Sequence, residues 1–140
     1  MFLCLFEDAF CDHLRPVVEA RAVFDIRLGS STIAQYLRRQ FPDLHPAFQV
    51  RPYLAGTLAE AHAGVLVNET PSTGTLFLNG RISFLPAEVI LRLRKAAQTD
   101  EPKRLFMQDG FVVAAWIPDP THISLHKQAL SPSDFNDAPL

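Results

Sequence analysis

"FLCLFED", residues 2–8, sets five apolar positions in a row against a pair of carboxylates. A run this short and uniformly apolar is the pattern of a buried strand, and Glu7-Asp8 marks its end. Two later stretches read the same way, "GVLVNE" (64–69) and "TLFLNG" (75–80). Between such runs the period changes. From Ser31 onward Ile33, Leu37 and Phe41 recur every four residues, with Gln35, Arg38, Arg39 and Gln40 elsewhere, so an amphipathic helix is expected, closed by Pro42. Pro86 suits the first turn of a second helix, with Val89, Ile90, Leu93 and Ala97 inward and Arg92, Arg94 and Lys95 outward.

Shorter helical turns are expected at 9–14, ahead of Pro16, and at 57–63. "FQVRPYL" (48–54) reads as an edge strand because it contains a proline. "RLFMQDGFVVAAW" (104–116) is a hairpin, since Asp109-Gly110 can supply the two positive φ angles of a type I′ turn. A further helix is expected at 122–130. The closing ten residues, "SPSDFNDAPL", read as a frayed tail. Strands alternate with helices, which makes the fold class α/β, with a mixed sheet because of the hairpin. The domain occupies 1–130 and the tail 131–140.

The chain of 140 residues is 48% hydrophobic and 20% charged, the composition of one globular domain. A formal net charge of −2 gives no electrostatic case for nucleic-acid binding. "MFLCLF" is too short for a membrane span and lacks the basic residues of a signal peptide, so neither is expected. Cys4 and Cys11 make no disulfide framework or zinc spacing, which leads to a reduced, cytoplasmic protein as the expectation.

Three places can carry chemistry: the turn after the first strand, "ARAVFDIRLGSST" (20–32) and "LFLNGRISF" (76–84). In the second, Arg21, Asp25 and Arg27 alternate with Ala22, Phe24, Ile26 and Leu28, as on a strand showing charge on one face. A helix opening after Gly29 would offer free N–H groups to a phosphate, with arginines beside it. Taken alone, the same charges read first as a structural ion-pair network at a sheet edge. Neither standard glycine-rich phosphate loop is present. Cys11 and His13 do not stand at the spacing of a catalytic pair. Cys4 reads as an inert core thiol, and His122 and His126 as a solvated helix face rather than metal ligands.

The series "LFED", Leu14, Pro16, then Arg21, Val23, Asp25, Arg27, Gly29, Thr32 and Ile33, and later Asn79, Gly80 and Arg81, resembles a sugar nucleotidyltransferase family. Its members are relatives of the UDP-N-acetylglucosamine pyrophosphorylases and occur mainly in bacteria. The resemblance spans roughly residues 2–117. It implies a Rossmann-like nucleotidyltransferase domain, of which this chain is an N-terminal, incomplete portion. It also implies a reaction joining a nucleoside triphosphate to a sugar 1-phosphate, with Mg²⁺ assistance and release of pyrophosphate. Arg21, Asp25, Arg27, Gly29, Asn79, Gly80 and Arg81 become the substrate-binding candidates, with no catalytic residue assigned.

The chain departs from the pattern in several places. Ala22 replaces a proline, Glu7-Asp8 stands where active pyrophosphorylases carry a glycine-rich loop, and Asn79-Gly80-Arg81 stands where they end a strand in a metal-binding aspartate. The hexapeptide repeats of a β-helix domain are missing, so such a domain, or a second copy of the chain, is the partner implied. Two other readings stay open beside the enzyme: a non-catalytic nucleotide-binding module, and a protein-interaction domain that kept the fold.

Overall fold

Successive side chains of the first strand face opposite ways, and both faces are buried: Leu3 and Leu5 join one apolar cluster, Cys4 and Phe6 the other. A computed structural model describes residues 1–98 and 100–136. Its strands are β1 (Phe2–Phe6), β2 (Arg27–Leu28), β3 (Ser31–Thr32), β4 (His45–Gln49), β5 (Leu66–Val67), β6 (Thr75–Asn79), β7 (Arg104–Gln108) and β8 (Phe111–Ile117). Its α-helices are α1 (Ile33–Gln40), α2 (Ala55–Ala61), α3 (Ala87–Ala96) and α4 (Pro132–Asn136). One sheet runs in the order β5-β4-β1-β6-β8-β7, while β2 and β3 form a separate small hairpin. β1 pairs in parallel with β4 and β6, and β4 with β5; β8 runs antiparallel to both β6 and β7. The architecture is a Rossmann-like mixed α/β sheet, as the alternation of elements requires.

The two faces are covered differently. Ile33, Ala34 and Leu37 of α1, Leu58 of α2 and Leu93 and Ala96 of α3 pack with Leu3, Leu5, Phe48, Leu76, Leu78 and Trp116. The opposite face, with Cys4, Phe6, Phe77 and Ala115, is closed by Ile123, Leu125, Leu130 and Phe135. In β8 the pairing skips Val113, because Phe106 opposes Ala114 and Met107 opposes Val112. That bulge turns Val112 to the second face.

α1 begins and ends near its expected bounds because Thr32 and Gln35 close a reciprocal cap on its first turn. The 104–116 hairpin also stands as expected, with Asp109 and Gly110 at φ 52° and 82°.

Four expectations are corrected. Residues 22–28 are not one strand: Ala22, Val23 and Phe24 are buried consecutively, Val23–Asp25 is a 3₁₀ turn, and only Arg27–Leu28 is extended. The strand read at 48–54 starts earlier, at His45, and lies inside the sheet; Pro52 falls in the 3₁₀ turn that follows it. Residues 122–130 form no helix beyond the 3₁₀ turn Pro120–His122. Their apolar side chains, Ile123, Leu125 and Leu130, are laid flat on the sheet instead. The tail is not frayed over 131–135: α4 forms, and Phe135 is fully buried against Phe6 and Phe77, at ring-centroid distances of 5.3 Å from each. Residues 137–140 lie outside the described residues.

Candidate functional site

From β1 the chain moves outward to β4 and β5, then crosses back to β6 on the other side of β1. The strand order therefore reverses between β1 and β6, and the crevice beyond the carboxyl ends of these two strands is where open α/β sheets bind ligands. Glu7 and Asp8 follow β1 there, Asn79, Gly80 and Arg81 close β6, and Gln49 and Arg51 end β4.

Glu7 is completely buried and is held on every side. Its Oε1 accepts from the Val23 N–H (2.9 Å) and Arg51 Nη2 (3.1 Å); its Oε2 accepts from the Arg51 N–H and Arg51 Nε, both at 3.0 Å. Arg51 is equally buried and donates further to the Arg21 carbonyl (2.8 Å) and the Tyr53 hydroxyl (2.9 Å). Burial alone would lower the Arg51 pKa, but the hydrogen bonds and charge of Glu7 outweigh it, and the net direction is upward. The Glu7 N–H bonds Gln49 Oε1, whose Nε2 reaches the Lys127 carbonyl; the Leu130 N–H bonds the Glu7 carbonyl. The ends of β1 and β4 are thus tied to the closing segment.

Asp8 makes the second pair. Its Oδ1 accepts from Arg81 Nε (3.0 Å) and its Oδ2 from Arg81 Nη2 (2.7 Å), a two-point carboxylate–guanidinium contact. Asn79 Nδ2 also bonds Asp8 Oδ2, at 2.8 Å, and the Val112 carbonyl, while Asn79 Oδ1 accepts from the Arg81 N–H. The guanidinium packs beside two rings that meet edge to face, 4.5 Å from the Phe10 centroid and 5.0 Å from that of Phe111. Nη1 has no protein partner among the described residues, and the side chain is 23% exposed. It opens on a groove of about 550 Å³ whose walls include Ile82, Phe84, Leu85, Val89 and Val112, with Gln108 and Asp109 as further polar groups.

Gly80 explains itself by contact: a Cβ there would meet the Phe24 ring at 2.8 Å and the Phe6 carbonyl at 3.1 Å. The Asn-Gly-Arg sequence therefore has one residue that bridges to β8, one that must be small and one that carries charge.

The 20–32 stretch lies differently from its expected arrangement. Its first part, Arg21 to Asp25, folds over Glu7 and Arg51 through backbone contacts. Asp25 is half-buried, and burial pushes its carboxyl up, against the opposing pull of His62 and Arg21. Arg27 turns back to the Ser30 carbonyl, and Gly29 (φ 70°) makes the turn between β2 and β3 rather than opening α1. The N–H of Gln35 that a phosphate would need is already bonded to Thr32 Oγ1. None of Arg21, Asp25, Arg27 and Gly29 lines the groove, whereas Asn79 and Arg81 do.

Arg51, Gln49, Phe10 and Phe111 escaped sequence reasoning. The one signal was Arg51 itself, the single charged residue of the 48–54 run, with carboxylates closing the first run to offer it a partner.

Magnesium takes oxygen ligands, and protein sites for it supply one or two carboxylates beside waters and phosphate. Here each oxygen of Glu7 and Asp8 already accepts two hydrogen bonds. No group of three or more His, Cys, Asp or Glu side chains comes together among the described residues. These two carboxylates, so arranged, do not fit a magnesium ion. The thiols do not suit nucleophilic chemistry either: burial pushes Cys4 far up and Cys11 to about 11. Among the described residues no helix is long and apolar enough to cross a membrane.

No curated protein and no solved structure matches the chain. The model of a family described as sugar nucleotidyl transferase matches residues 3–138. With the family model matching nearly the whole length, this chain belongs to the sugar nucleotidyl transferase family.

Proposed function

We propose that the domain binds the phosphate of a sugar 1-phosphate or a nucleotide beside Arg81, and that in the complete protein this binding serves the formation of a nucleoside diphosphate sugar with release of pyrophosphate. The observation that carries the reading is the Arg81 guanidinium, fixed by Asp8 and two rings, with its free Nη1 donors on the groove. A fixed guanidinium loses little freedom on binding an anion, and the apolar wall suits a base or the flat face of a sugar. Asn79 and Gly80 support Arg81, and Arg21 and Asp25 border the neighbouring strand end. The protein works in the cytoplasm, where Cys4 and Cys11 remain free thiols.

One observation favours a non-catalytic binding module as the second reading. The saturated carboxylates of Glu7 and Asp8 leave this strand-end cluster with an arginine where a metal-dependent transferase needs free oxygen ligands. Thermal melting against nucleoside triphosphates, sugar phosphates and sugar nucleotides tests the common claim. A ligand at about 100 times its dissociation constant adds roughly 2.7 kcal/mol, a rise of several degrees. The rise should vanish in Arg81→Met. A pyrophosphate-release assay then separates enzyme from module, and no shift with any of these ligands would overturn both.

A further inference from the structure

The charge around Arg81 limits what the groove can hold. Resting on the reading above, we infer that this site takes a phosphomonoester, the phosphate of a sugar 1-phosphate or of a nucleoside monophosphate, without a divalent cation, and disfavours triphosphates. Arg81 is the one cationic side chain among the described residues lining the groove. Its charge is already shared with Asp8, and Asp109 adds a second negative charge at the rim. A phosphomonoester carries about −1.5 to −2 at neutral pH. A triphosphate carries more, and nothing in the groove offsets the excess.

The donor geometry agrees. Asp8 takes Nε and one hydrogen of Nη2, so Nη1 and the outer hydrogen of Nη2 form a free edge. That edge can grip two oxygens of one phosphate group. The cation is part of the chain, held against Phe10 and Phe111. Asp8 stays bound to it, so a metal gains no ligand there while Arg81 is present.

Isothermal titration of the whole chain is the test, with glucose 1-phosphate, UMP and UTP, each in EDTA and in Mg²⁺. At least one monophosphate should bind with the same affinity in both, and UTP in EDTA should bind about tenfold more weakly. Tighter glucose 1-phosphate assigns the sugar source; tighter UMP assigns the nucleotide source. Arg81→Lys should weaken the monophosphate about tenfold, because a single ammonium cannot hold Asp8 and phosphate together in the same fork. Asp109→Asn keeps a residue tolerant of positive φ in the turn and should tighten binding at least about twofold by removing the rim charge. It keeps the inference testable even where Arg81 variants fold poorly. Magnesium-dependent UTP binding, tighter than either monophosphate and sensitive to Arg81→Lys, would overturn the inference and leave the groove reading intact. No binding of any probe, or binding indifferent to both variants, would overturn the two together.

Discussion

Glu7 and Arg51 show how much one residue pair can decide in this molecule. Both side chains are fully buried, and together they join β1, β4 and the 21–23 backbone. Arg51→Met leaves a buried carboxylate without its cation and should cost about 3–5 kcal/mol, read as a lower urea midpoint. A loss under about 1 kcal/mol would mean that the pair is only weakly coupled to the fold. Asp25 is a different case, since burial raises its pKa. The folded protein then holds the proton more tightly than the unfolded chain. Its stabilising effect is complete below the ordinary value of 3.8 and is lost as pH rises through the folded value. Asp25→Asn should therefore melt with the wild type at pH 3 and above it at pH 7. A variant that melts lower at pH 7 would show that the charged carboxylate has a favourable partner after all.

Elements were legible where local chemistry governs them. The four-residue spacing of Ile33, Leu37 and Phe41 and the Asp109-Gly110 turn needed nothing distant, and α1 and the β7–β8 hairpin stand as read. The 22–28 stretch misled because its charged residues alternate while its backbone answers a remote group: Glu7 takes the Val23 N–H sixteen positions away. Alternation over so short a run cannot reveal such a bond. The same holds for 122–136, read as a helix at 122–130 and a frayed tail beyond it, although Ile123, Leu125, Leu130 and Phe135 close the second face of the sheet. Phe135 makes this measurable. Phe135→Ala should lower stability by about 3–5 kcal/mol, the range for removing a buried aromatic ring. A change within about 0.5 kcal/mol would return the tail to the frayed state its composition suggested.

At the scale of the whole molecule, the α/β class and the Asn79–Arg81 part of the candidate site could be read from sequence and family likeness. The remainder depended on topology. Only the order β4-β1-β6 reveals that Asp8, Asn79 and Arg81 meet at the switch point, and only packing reveals Phe10 and Phe111 around the guanidinium. The expected phosphate end at Gly29 and the observed groove at Arg81 are separate surfaces, so ligand binding distinguishes them directly. The decisive measurement is a titration of the backbone amide NMR spectrum with glucose 1-phosphate and with UMP, in EDTA. Shifts concentrated at 79–84 and 108–113 are the expected result. Shifts concentrated at 27–32, or none at saturating concentrations of either compound, would contradict a phosphate site built on Arg81.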